Sequence, residues 1–228
     1  KNIIALGSSK KILELKKISN KIKIIRINII NFKKTKNTLI KELNKINSLK
    51  TISIVLCASQ LGSKTNFFKL NLSEWSKLYS INLLGNINLI LSLKKFIKKK
   101  TKLKVIFFSG GGAASAYPDF FGYSLTKAAV ARAVENISEE LKTQINHFSI
   151  IALAPGNVKT RMYKKLLKYK AKLGTKTDFK EISIFVRKFF FNQKNSKILS
   201  GRLIHVRDQL NYEQLKQNKN KFKIRRIQ

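Results

Sequence analysis

The sequence predicts an α/β protein: a doubly wound parallel sheet with helices on both faces. Short runs of β-branched and aromatic residues recur at 2–6, 21–28, 51–57, 105–108, 148–152 and 203–206. Most of the runs are separated by longer segments with helical periodicity, and strands alternating with such helices argue for parallel crossover connections. The run at 51–57 is nearly all apolar, the pattern of a strand covered on both faces. With 228 residues, the chain can bury one sizeable core.

Taken in order, Asn2 to Leu6 reads as a buried strand, turned by Gly7-Ser8-Ser9 into a short basic amphipathic helix from Lys10 to Ile18. Lys21 to Asn28 is a second strand, leaving through Asn28-Ile29. Phe32 to Ile46 is helical, with Leu39, Ile40, Leu43 and Ile46 on its apolar face. The strand at 51–57 is followed by a loop, Leu61 to Asn71, and Ser73 is placed to cap a long helix reaching about Lys98. Val105 to Phe108 is a strand ending in Ser109 and three glycines, a backbone free to turn sharply and to approach a ligand. Beyond Pro118 a helical pattern runs to about Thr143, then a strand from Phe148 to Ala152. Pro155-Gly156 punctuates a loop into a mobile basic helical region, and Leu203 to Val206 is the last strand. No repeat or linker divides the chain, so residues 1–208 form a single domain. Residues 209–228 read as a polar, basic tail, partly disordered.

The formal charge of +37 allows an electrostatic contact with nucleic acid or an acidic membrane surface. The basic residues are spread along the whole chain instead of forming one cluster, however, and lysine, isoleucine, asparagine and phenylalanine are abundant together, as compositional drift produces. Nucleic acid is therefore not the expected partner. No apolar run reaches the ~18 residues of a membrane span, so no membrane partner is expected either. The single cysteine, Cys57, excludes an internal disulfide and fits a reducing, cytoplasmic location. Cys57 reads as a buried small side chain rather than a nucleophile. His147 and His205 lack partners at ligand spacing, so both read as structural and no metal site is expected.

Chemistry concentrates after the fourth strand. Tyr123 and Lys127 stand four apart on one helix and share a face. An ammonium beside a phenol favours the phenolate, which would lower the tyrosine pKa and fit it for general acid/base work. The spacing alone is common in helices with no catalytic role. Its place behind a strand ending in serine and glycine sets this pair apart.

The strand with Ser109, Pro118, Tyr123-x-x-x-Lys127, and then Pro155-Gly156-x-Val158-x-Thr160, resembles the short-chain dehydrogenase/reductase family, from residue 2 to about 207. The resemblance implies a Rossmann-like domain that transfers hydride between NAD or NADP and a small-molecule carbonyl or alcohol, and that assembles as a homo-oligomer. It makes Tyr123 the proton donor and gives Lys127 the tasks of lowering its pKa and holding the ribose. Asn82, from Ile81-Asn82-Leu83-Leu84-Gly85, would organise a water relay, and Thr160 would bond the nicotinamide carboxamide after Pro155, Gly156 and Val158 pass the ring.

Several positions depart from the family pattern. No glycine-rich turn follows the first strand, and 2–6 reads as the family's second strand. The first strand and helix, roughly 25–30 residues of a βαβ unit, are expected to be missing from an incomplete N-terminus. The absent strand belongs between the strands at 2–6 and 51–57. Ser8, Ser9 and Lys10 stand where an acidic residue would receive the ribose 2′-hydroxyl, which favours NADP over NAD. Asn28-Ile29 replaces an Asp-Val pair near the adenine, and Cys57-Ala58-Ser59-Gln60 replaces an Asn-Asn-Ala-Gly turn beside the cofactor. The family's substrate-positioning serine, 13 residues before the tyrosine, is Gly110 here, so Ser109 takes that role in this reading. The competing class is an inactive family remnant, or a non-enzymatic basic protein binding a polyanion.

Overall fold

Six strands, all paired in parallel, frame the computed structural model, which describes residues 3–46, 49–171 and 173–223. They are β1 (Ile3–Gly7), β2 (Ile22–Arg26), β3 (Thr51–Leu56), β4 (Lys102–Phe108), β5 (His147–Ala154) and β6 (Arg202–His205). Asn2 of the first expected strand, and residues 224–228 of the expected tail, lie outside the described residues. β1 pairs with β2 from Ile3↔Ile22 to Gly7↔Arg26, and β3, β4, β5 and β6 form a second sheet in that order. The ladder therefore breaks between β1 and β3, where the absent strand was placed.

The eight α-helices among the described residues are α1 (Phe32–Leu43), α2 (Leu72–Tyr79), α3 (Gly85–Leu91), α4 (Phe121–Leu141), α5 (Arg161–Lys168), α6 (Phe179–Phe191), α7 (Gln193–Leu199) and α8 (Tyr212–Gln217). The basic segment after β1 is a 3-10 helix, Lys10–Lys17. β4 and β5 sit at the centre of the core, with helices on both faces. Leu103, Val105 and Phe107 point to one side, against Val130, Ala131 and Val134 of α4. Ile106, Ile151 and Leu153 point to the other, against Phe189, Leu199 and Leu215 of α6, α7 and α8. This alternation follows from the two-residue period of a strand.

Three expectations are corrected. β3 is not covered on both faces: Thr51, Ser53, Val55 and Cys57 are exposed while Ile52, Ile54 and Leu56 turn inward. Among the described residues β3 has a ladder partner on one side only, so its alternation shows where a continuous apolar run was read. The long helix from 73 is three pieces. α2 is capped by Asn71, whose Oδ1 accepts from the Glu74 amide at 3.0 Å, and a π-helical turn at Ser80–Leu84 separates it from α3. Ser73, two residues further on, lies inside the first turn of the helix. The segment after residue 209 is also more ordered than its periodicity suggested. α8 buries Leu215, and the buried Arg202 guanidinium donates to the carbonyls of Ile198, Leu215, Lys219 and Lys221.

Lys104, in the middle of β4, is also buried. Its Nζ donates to the carbonyls of Phe189 (3.2 Å) and Phe190 (2.9 Å) at the end of α6, where unpaired carbonyls and the helix dipole favour a cation. Among the described residues, no helix is long and apolar enough to cross a membrane, and no cluster of His, Cys, Asp or Glu could hold a metal ion.

Candidate active site

The site is built where β4 ends and α4 begins. Tyr123 and Lys127 lie in the first two turns of α4. Lys127 is almost completely buried, with Nζ 5.4 Å from the centroid of the Tyr123 ring. The ammonium donates at 3.0 Å to the carbonyl of Phe108, the last residue of β4, so it faces the strand end rather than the phenolic oxygen. Burial pushes the Lys127 pKa down to about 8, with Cys57 acting weakly the other way. Burial also pushes the Tyr123 hydroxyl well above its ordinary range, with Tyr117 as a second cause. The expected lowering of the tyrosine pKa by the lysine is thus not what this arrangement gives. The desolvation of a phenol beneath a packed cover outweighs an ammonium turned to another acceptor.

Ser109 does not face the tyrosine. It is buried, and its Oγ donates to the Lys127 carbonyl at 3.2 Å, tying the end of β4 to α4. The neighbouring position does face it: a Cβ added at Gly110 would lie 3.2 Å from the Tyr123 hydroxyl oxygen. A side chain at 110, and not at 109, would reach the Tyr123 hydroxyl.

Asn82 sits in the π-helical turn, buried, a geometry that recurs at functional sites. Its Oδ1 accepts from the Gln60 amide (2.7 Å), and its Nδ2 donates to the Gln60 carbonyl and to Thr126 Oγ1, both at 2.9 Å. The side chain therefore pins the loop after β3 to α4. Asn86, one turn on, continues the task by donating to the Ala58, Ile81 and Asn82 carbonyls. Asn86 and Thr126 were missed in the sequence. The available signal was a second asparagine four residues from Asn82 on an otherwise apolar helix.

The cofactor residues fall into two groups. At the far end, Ser8 and Lys10 are exposed beyond β1, and Ser9 caps the 3-10 helix by accepting from the Lys11 amide. Asn28 is exposed, whereas Ile29 is a core residue packed so tightly on α3 that a Cβ at Gly85 would come within 2.8 Å of it. The second group is Cys57, Ala58 and Ser59, after β3, and Pro155, Gly156, Val158 and Thr160, after β5. Cys57 is exposed, not buried as expected, because it continues the open face of β3. Surrounding protein still pushes its thiol up to about 11, which keeps it protonated and inert. Ser59 Oγ is a buried hydroxyl without a protein partner.

Gly156 has φ of 72°, and a Cβ there would lie 2.4 Å from Thr177 Oγ1, itself buried and without a partner. The Thr160 hydroxyl accepts from the Tyr163 amide and caps α5. Over Tyr123 lies an apolar cover. Met162, Leu166 and Tyr169 pack with Leu61 and Phe120 against it, and the Phe120 and Tyr169 rings are 5.8 Å apart.

Comparisons with known proteins bear on the lineage and the fold. A family model described as short chain dehydrogenase matches residues 3–171. An uncharacterized oxidoreductase of Schizosaccharomyces pombe is 27% identical over 125 residues, covering 55% of this chain; the chain spans about half (47%) of that relative's length. Among solved structures, a short chain dehydrogenase from Salmonella enterica serovar Typhi superposes with a TM-score of 0.76 at 13% identity, over 91% of this chain and 86% of that one. An NAD+-bound xylitol dehydrogenase gives 0.77 at 13% identity, covering 90% and 87%. A short chain dehydrogenase from Escherichia coli complexed with NADPH gives 0.75 at 13% identity, covering 91% and 86%. At these identities the structures speak for the fold, and the family model speaks for the lineage: the chain belongs to the short-chain dehydrogenase family of oxidoreductases.

Proposed function

We propose that the chain interconverts a small carbonyl compound and its alcohol, using a nicotinamide cofactor and Tyr123 as general acid/base. The observation that carries this reading is the half-buried Tyr123 in the first turn of α4, behind the carboxyl end of β4, with Lys127 against its ring and a glycine backbone beside its oxygen. Crevices at strand carboxyl ends are where open α/β sheets bind ligands.

The residues fit the nicotinamide half of the cofactor. Gly156, at a φ of 72° and packed against Thr177, turns the chain out of β5 where a side chain would clash, and the Ser59 and Thr177 hydroxyls are buried acceptors and donors without protein partners. Ser8 and Lys10, exposed beyond β1 with no carboxylate beside them, favour NADP over NAD. A bound nicotinamide supplies or accepts the hydride. The chain's own residues do the rest. In reduction, Tyr123 donates a hydrogen bond to the substrate carbonyl and gives its proton to the developing alkoxide. A phenol with a raised pKa is protonated at neutral pH and ready for that direction. Lys127 sets the charge beneath the ring. Asn82, Asn86 and Ser109 hold the loop and helix in register, and the cover from α5 excludes water.

The test is single-turnover oxidation of NADPH with a panel of ketones and aldehydes across pH. Tyr123→Phe removes one hydroxyl and little volume, and should slow the chemical step by about 10²–10⁴-fold with the fold intact. Near-parental rates in that variant would remove the acid role.

A further inference from the structure

Lysines are scattered along this chain, yet the side chains that cluster with Tyr123 are all uncharged, and Lys165 Nζ meets that cluster only at the Tyr169 ring, 5.5 Å from its centroid. Met162, Leu166 and Tyr169 recur at the i, i+4, i+7 spacing of one helical face, and that face joins Leu61, Phe120 and Tyr123 in one apolar cluster. Arg161, Lys164, Lys165 and Lys168 of the same helix are exposed. The cations nearest the rim are engaged elsewhere. Lys165 Nζ donates to the Gly62 carbonyl at 2.7 Å, and Lys64 pairs with Asp119 at 3.2 Å and reaches the Tyr169 carbonyl at 3.4 Å. Lys127 is turned to Phe108. A carboxylate or phosphate brought under this cover would lose its water and find phenols and hydrocarbon in its place. A neutral carbonyl would keep its one strong hydrogen bond, from Tyr123, while its apolar body replaced the contacts of Met162 and Leu166.

We infer that the substrate side of the site takes an uncharged apolar ketone or aldehyde, aromatic or branched, or the matching alcohol, and rejects acidic ones in spite of the +37 charge. This rests on the reading of Tyr123 as the acid/base. α5 must lift for entry, with the Lys165–Gly62 and Lys64–Tyr169 hydrogen bonds as the latch.

The experiment is binding, which needs no turnover: calorimetric titration of the whole chain with 1-phenylpropan-1-one and with phenylglyoxylate, its carboxylate-bearing counterpart, at low and at ~0.5 M salt. The ketone should bind with an affinity that changes less than about twofold with salt. It should weaken about tenfold in both Leu166→Lys and Tyr169→Ala, and stay unchanged in Lys168→Glu, on the outer face. Phenylglyoxylate should bind only at low salt and ignore the Leu166 change, as a diffuse surface attraction does. Tighter binding of phenylglyoxylate at ~0.5 M salt, ketone binding indifferent to both cover variants, or no ketone binding at all would each overturn the inference. Specific ketone binding without any hydride transfer, at NADPH concentrations well above its dissociation constant, would uphold it and overturn the acid/base reading instead.

Discussion

A lysine with its ammonium under protein, one carbonyl for a partner and a tyrosine ring beside it is a destabilised cation. Lys127 in the fold gives up its proton at about pH 8, against 10.5 ordinarily. Between those values the unfolded chain holds more protons than the folded one, so raising the pH through the window favours the fold. Tyr123 works the other way. Its folded pKa is raised, so the unfolded chain ionises first and stability falls as the pH passes the ordinary tyrosine value. In urea titrations, the parent should gain up to about 3 kcal/mol relative to Lys127→Met as the pH rises from about 8 toward 10. A constant difference would show that Lys127 does not titrate there. Gly110 makes a second point at this scale. Because its Cβ would lie 3.2 Å from the Tyr123 oxygen, Gly110→Ser should place a hydroxyl against the reacting group and raise single-turnover rates by about tenfold. An unchanged rate would mean that the backbone already supplies that contact.

At the scale of elements, buried cations hold helices where the apolar pattern alone would leave them loose. Arg202, on the last strand, donates to carbonyls within and just after α8 and at the end of α7, while the Leu203 amide donates to the Phe222 carbonyl. Hydrogen bonds to a charged group contribute about 1.5–3 kcal/mol each before coupling, and breaking such a set typically costs about 3–5 kcal/mol. Arg202→Met should therefore lower stability by about 3 kcal/mol and release residues 212–223 to hydrogen exchange. Protection of β4 and β5 should persist in the remaining folded population. Uniform loss of protection would mean that α8 unfolds only with the whole molecule. Its weak periodicity made this segment read as a tail, because four of its anchoring bonds come from one distant arginine and were invisible to a local pattern.

For the whole molecule, the decisive feature is a sheet in two parts. β1–β2 and β3–β6 are each parallel, and no described residue bridges β1 to β3 by a ladder. The turn after β1 is built from Gly7 and Ser9, where a Cβ on Gly7 would meet Ile12 at 2.8 Å and Ser9 caps its own helix. It does not offer the run of glycine amides that usually receives a pyrophosphate. The chain of 228 residues should therefore bind NADPH weakly, with a dissociation constant near 1 mM rather than ~1 µM. Calorimetric titration decides this, and micromolar affinity would show that the pyrophosphate is held from elsewhere in the molecule.

The sequence by itself determined the α/β class, the strands at 2–6 through 203–206 to within a few residues, and the family, because these rest on local periodicity and on motifs whose residues lie close along the chain. It also singled out Tyr123, Lys127, Asn82 and Gly156. Only the tertiary structure decided what those side chains face. Whether Lys127 meets the phenol oxygen or the Phe108 carbonyl, whether Ser109 or Gly110 neighbours Tyr123, and whether Ile29 is core or cofactor contact depend on distances between elements. The exposed face of β3 and the uncharged cluster around Tyr123 have the same origin. Burial is a property of what packs against a residue, and a one-dimensional pattern records only the residue's own side of that contact.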